Sequence, residues 1–190
     1  FGKQLWKVPT GRRDGIVSLA SEALIGLPSP FSNFSALKDN FAMSDLSVHD
    51  LVTLSGAHTI GVAHCGAIRK RLFNFTGAGG QDPSIDSEYA ESLKMKCKDP
   101  KDTTTTVDMD PDSFLTFDNH YYSSLKGQKG LFQSDAALLT DKKASKHVEE
   151  LLKSPKNFFD QFAVSVQKMG AIKVLTGDQG QIRKKCNVVN

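Results

Sequence analysis

Between residues 154 and 170 the apolar positions Phe158, Phe159, Phe162, Ala163, Val166 and Met169 recur at spacings of three and four, the period of one face of an α-helix. Ser154 supplies an N-cap, Pro155 suits the first helical position, where its missing N–H goes unused, and Gly170 ends the run. Such a stripe is core rather than a cofactor box. Other helices are predicted after Asp14 over Ile16–Leu24, ended by Gly26 and Pro28, and after a Ser47–Asp50 capping box into Leu51, Val52 and Leu54. Three more run from Asp86 or Ser87 through Lys96, from Asp118 through Leu125, and from Ser145 through Lys153. Strand signal is thin, with Leu5–Val8 and Lys173–Leu175 its best carriers, and Thr103–Thr106 reads as a surface loop. The pattern predicts a mainly α fold with one or two very short strands and no domain boundary within 1–190.

One stretch breaks the surface pattern. From Leu51 to Ile68 there is no Asp, Glu, Lys or Arg, in a chain that is 24% charged, so burial is expected. Thr53, Ser55, His58, Thr59, His64 and the glycines exclude a membrane span. The segment Ser55-Gly56-Ala57-His58-Thr59 puts an imidazole at a helix end, beside a glycine that permits close approach. His58 is then either a core histidine hydrogen-bonded to a carbonyl or an axial ligand to a metal or haem. A zinc site does not fit, because His58 and His64 share no helix face and match no usual zinc spacing. A haem iron needs only one proximal ligand among apolar walls.

Composition narrows the setting. The chain has 190 residues, 39% of them hydrophobic, with a net charge of +3, too small to argue for nucleic acid or membrane partners. The runs Arg69-Lys70-Arg71 and Arg183-Lys184-Lys185 read as solvated surface. Of Cys65, Cys97 and Cys186, two can pair and one is left over. The tripeptides Asn33-Phe34-Ser35 and Asn74-Phe75-Thr76 fit the glycosylation pattern of secreted proteins. The first residue is Phe1 and no leader pattern is visible, so a piece of a larger oxidised protein is expected.

The run Asp50-Leu-Val-Thr-Leu-Ser-Gly-Ala-His58-Thr59-Ile-Gly61-Val-Ala-His64-Cys65 resembles the proximal haem-ligand signature of plant secretory (class III) peroxidases. Similar matches follow the family's order, at Trp6 to Gly15, Gly26 to Pro30, Thr116 to Tyr122, Gly130 to Asp135 and Gly180 to Asn190. The resemblance implies the haem-dependent peroxidase fold, and only its proximal half. The distal catalytic His and Arg would lie in an N-terminal part outside these residues.

By resemblance, His58 is the axial ligand of haem b and Asp135 its carboxylate partner. An ionised Asp there raises the basicity of the ligand. Thr59, Asp110, Ser113, Thr116 (through its carbonyl) and Asp118 would hold calcium, a hard ion that takes oxygen ligands. An EF-hand starting at Asp108 is rejected, since Ser113 and Asn119 stand where Gly and Glu are needed. His64 would reach a haem propionate, and Pro28 would lie by the aromatic-substrate site. Cys65 and Cys97 carry the spacing of a family disulfide, leaving Cys186 to a cysteine elsewhere. Departures from the family pattern include Val62 near the propionates, Ala67 and Ile68 at the haem edge, and Met109 beside the proximal imidazole. The activity implied is oxidation of phenolic donors by hydrogen peroxide, in a monomer secreted to the cell wall or, alternatively, held in a vacuole. The residues leave open a non-catalytic haem- or calcium-binding fragment and a structural remnant.

Overall fold

The computed structural model describes residues 4–99 and 101–190. Its helices are α1 (Ala20–Gly26), α2 (Phe34–Ala42), α3 (Val48–Ser55), α4 (Arg69–Phe73), α5 (Ser87–Lys96), α6 (His120–Lys126), α7 (Gln133–Ala137), α8 (Lys142–Leu152) and α9 (Pro155–Gly170). Two 3-10 turns, Gly56–Thr59 and Cys65–Ala67, flank the strand β1 (Val62–His64), which pairs antiparallel with β2 (Thr106–Asp108). The mainly α expectation holds.

Helices whose stripe and caps are both local form where predicted. Ser154 caps α9 through its side chain, with Pro155 in the first turn. Phe158 and Phe162 are buried, while Met169 stays on the exposed edge. The Ser47–Asp50 capping box starts α3, and Asp86 caps α5. Elsewhere tertiary contacts move the boundaries. The helix expected after Asp14 begins only at Ala20, because Arg13 and Asp14 are drawn into isolated bridges with Leu175 and Gln181. Asp141, not Ser145, caps α8, accepting from the amides of Lys143 and Ala144. The α2, α4 and α7 helices, and both strands, carry too little periodicity of their own to be foreseen. Leu5–Val8 forms no ladder, and of Lys173–Leu175 only Leu175 makes a bridge. Thr106 leaves its expected loop to begin β2.

Two apolar cores result. One gathers α3, α6, α8 and α9 around Leu51, Tyr121, Tyr122, Leu151 and Phe158. The other lies under β1, β2, α4 and α5, around Ile68, Leu72, Leu93, Val107 and Leu131. Cys65 and Cys97, 32 residues apart, are joined by a disulfide within the second core. Closing a loop of that size restricts the unfolded chain and is worth about 3–4 kcal/mol. The uncharged stretch is buried over Leu51–Leu54 and at Gly56 and Thr59, half-buried at Ser55, Ala57 and His58, and then alternates as β1 reaches the surface at Val62 and His64. Burial also corrects the reading of the basic run 69–71, because Arg71 is only 2% exposed.

Candidate functional site

His58 stands where the two cores meet. The α3 helix tightens into the 3-10 turn at Gly56, where any side chain would displace its neighbours. A Cβ on Gly56 would come within 2.5 Å of both the Phe158 ring and the Tyr122 hydroxyl. This close approach seats the turn on α6 and α9 and carries His58 off the helix end. The imidazole is held edge-on by the rings of Tyr121 and Phe132, with centroids 5.9 and 5.5 Å away. Its Nδ1 lies 2.7 Å from Asp135 Oδ1.

Asp135 is the third residue of α7 and is 2% exposed. The Phe132 amide donates to its Oδ2 at 2.7 Å, and the Tyr121 hydroxyl donates to Oδ1 at 2.8 Å. Burial alone pushes this carboxyl up. The charge of His58 and the bonds from His58, Phe132 and Tyr121 outweigh that effect and hold it below the usual carboxylate value. Burial likewise pushes His58 down, and the charge and hydrogen bond of Asp135 reverse the shift and raise it. Beside an ionised Asp135 the Nδ1 of His58 carries a proton, so in the neutral ring Nε2 keeps its lone pair. Nε2 has no hydrogen-bond partner among the described residues. His58 borders a cleft of about 310 Å³ lined mainly by apolar side chains, among them Pro28, Leu37, Phe41, Leu54, Phe132 and Met169.

A second cluster begins at the neighbouring residue. Thr59, fully buried, directs its hydroxyl at Asp118 Oδ1 (3.1 Å) and Asp110 Oδ2 (3.3 Å), though its one proton can serve only one of them. Ser113 donates to Asp118 Oδ2 at 2.6 Å. Asp110 Oδ1 also meets Ser124 Oγ and His120 Nδ1, each at 2.8 Å. Thr116 sits in the turn between Ser113 and Asp118, its amide bonded to the Ser113 carbonyl. Two carboxylates thus converge on hydroxyl oxygens, a hard-oxygen donor set that suits calcium rather than a transition metal. Among the described residues no group of three or more His, Cys, Asp or Glu is arranged to hold a metal ion.

The remaining predicted residues scatter. Pro28 borders the His58 cleft, but His64 is exposed on β1 and is not among the residues lining it. Cys186 is a free, exposed thiol. Asn33 and Asn74 are both exposed, Asn33 serving as the N-cap of α2. Sequence reasoning missed Tyr121, Phe132, His120 and Ser124 as partners. Tyr121 and His120 lie inside a matched stretch, yet nothing local shows which way their side chains turn.

The model of the peroxidase family matches residues 1–154. The chain belongs to the peroxidase family. It is 53% identical to Peroxidase 56 of Arabidopsis thaliana over 186 residues, covering 97% of this chain and 56% of the relative. It is 51% identical to Peroxidase 3 of the same plant over 187 residues, covering 97% and 57%. With Peroxidase 24, also of that plant, identity is 53% over 195 residues, or 100% and 55%. The chain therefore spans little more than half the length of these curated relatives, and the resemblance to plant peroxidases read from residues 50–65 stands. Membership implies a haem cofactor. Among the described residues no helix is long and apolar enough to cross a membrane.

Proposed function

We propose that residues 1–190 form one domain portion, the proximal, haem-ligand side of a peroxidase that oxidises small phenolic donors with hydrogen peroxide. The observation that carries this reading is the His58–Asp135 pair. A buried carboxylate fixes the proton on Nδ1, and the opposite nitrogen of the ring is left for a ligand beside an apolar cleft. One imidazole nitrogen among apolar walls is the donor set that a haem b iron takes. When bound, haem supplies the electron-transfer chemistry. The chain's own residues hold and orient it: Asp135 keeps the imidazole turned and basic, and Phe132 and Tyr121 limit its rotation. Pro28 borders the cleft and would lie by a phenolic donor, and His64 would serve a haem propionate. Thr59, Asp110, Ser113 and Asp118, with the Thr116 carbonyl, would bind calcium and tether the residue after the iron ligand. Asn33 and Asn74 are the glycan acceptors of a secreted, monomeric protein of the cell wall or vacuole, and Cys186 pairs outside this chain.

Cleavage of peroxide needs a general base and a cationic stabiliser on the opposite face of the haem. By the resemblance those groups would lie in an N-terminal part outside these residues, which favours a second reading of the isolated chain as a non-catalytic haem-binding fragment. Haem titration of the purified chain tests both. A saturable Soret band, lost in His58→Ala, is the expected result. Guaiacol turnover by the mass-verified 190-residue chain at rates like intact peroxidases would remove the fragment reading. A Soret band unaffected by His58→Ala would remove the ligand assignment.

A further inference from the structure

Arg71 is the largest fully buried side chain among the described residues, and nothing in the haem or calcium assignments uses it. Its Nε donates to Asp82 Oδ2 at 2.7 Å and its Nη2 to Ser84 Oγ at 3.0 Å. Its Nη1 donates to the carbonyls of Gly130 and Leu131 at 2.6 and 2.8 Å. The Leu131 carbonyl belongs to the same peptide group as the Phe132 N–H, and that N–H donates to Asp135 Oδ2 at 2.7 Å. Asp135 in turn holds His58.

We propose that Arg71 is a positioning residue for the His58–Asp135 pair, acting through the single peptide group between Leu131 and Phe132. The guanidinium draws charge from the carbonyl oxygen, which makes the N–H at the other end of that group a stronger donor to Asp135. The stronger N–H bond pins Oδ2, so the carboxylate keeps one orientation, with its other oxygen turned to His58 Nδ1. The packing agrees: a Cβ on Gly130 would lie 3.0 Å from the Asp135 Cβ and 2.8 Å from Leu125, so the loop is pressed against the stem of the side chain it serves. Only a planar fork reaches four acceptors from one buried side chain, which a lysine cannot do. A buried ion pair such as Arg71–Asp82 gains little over well-packed apolar residues in stability, so placement is the better account of its presence. The meaning of this relay for a bound iron rests on the haem-ligand reading above, but its existence does not.

NMR of the haem-free chain at neutral pH separates the two. In the unmodified chain, through-hydrogen-bond couplings are expected from Arg71 Nη1 to the Leu131 carbonyl carbon and from the Phe132 amide nitrogen to the Asp135 carboxyl carbon. Absence of either overturns the relay. Asp82→Asn leaves Arg71 without its countercharge and should move the Phe132 amide proton downfield. The double variant Arg71→Gln/Asp82→Asn should move it upfield. Equal or same-direction shifts in both, with native far-UV spectra, would reduce Arg71 to a structural support. If the double variant does not fold, the couplings and the single variant decide alone. Haem titration of the same samples reports on the ligand reading independently.

Discussion

Asp50 and Asp135 occupy the same place in their helices, third from the start, each accepting the amide of the residue before the first turn. Their remaining bonds separate a carboxylate that ties two helices together from one that turns toward an imidazole. Asp50 Oδ1 takes Ser165 Oγ at 2.8 Å and Lys168 Nζ at 3.0 Å, fastening α3 to α9. Asp135 Oδ1 takes His58 and Tyr121. Burial raises the Asp50 carboxyl, but bonds from Ser47, Ser165 and Lys168 overcome it, leaving the group well below its ordinary value of 3.8. A depressed folded value means that the stabilisation is complete above 3.8 and is lost as pH falls below it. Acid titration of the fold, followed by far-UV circular dichroism, should therefore show a steeper loss of stability below that value in the native chain than in Asp50→Asn. Asp50→Ala should cost about 2 kcal/mol at neutral pH by removing the cap and stranding Ser165.

Among the elements, the 3-10 turn at Gly56–Thr59 has little room to move at Gly56. Gly56→Ala would force Phe158 or Tyr122 to yield, at about 1–3 kcal/mol of overpacking. For a chain of this size that lowers the thermal midpoint by about 2–4 °C per kcal/mol, and differential scanning calorimetry checks it. Haem affinity should fall as well, because the same strain turns His58. What the chain reveals of such elements depends on whether their causes are local. The α9 helix could be read because its stripe, its Ser154 cap and Pro155 all lie within one segment. The α7 helix, five residues long, has no such signature, and it matters because Asp135 stands 77 residues from the histidine it faces. That pairing was visible only through the likeness of whole motifs to known peroxidases. The basic run 69–71 misleads for the same reason: the groups that accept from Arg71 lie 11, 13, 59 and 60 residues further on. Helix α1 shows the opposite case, an apolar segment ended by Gly26 and Pro28 as expected, yet with no buried residue.

At the scale of the whole molecule, the site depends on supports from several sides. The Thr59–Asp110–Asp118 cluster ties the turn bearing His58 to the start of α6 and the end of β2. If calcium occupies it, chelation by EGTA leaves two carboxylates facing each other without a cation. The thermal midpoint should then fall, with recovery on adding calcium but not magnesium, which dehydrates reluctantly and demands a stricter octahedron. Asp118→Asn should abolish the difference between the two conditions. No shift on chelation of a calcium-loaded sample would count against the assignment.

The span enclosed by Cys65 and Cys97 contains both Arg71 and Asp82. A thiol reductant that never enters the cleft thus acts on it from a distance: opening the cross-link gives the unfolded chain back its freedom and lowers the stability of the loop that carries Arg71 and Asp82. The pocket would be at its most rigid only in an oxidising compartment, and dithiothreitol should loosen haem retention well before the helices of the other core unfold.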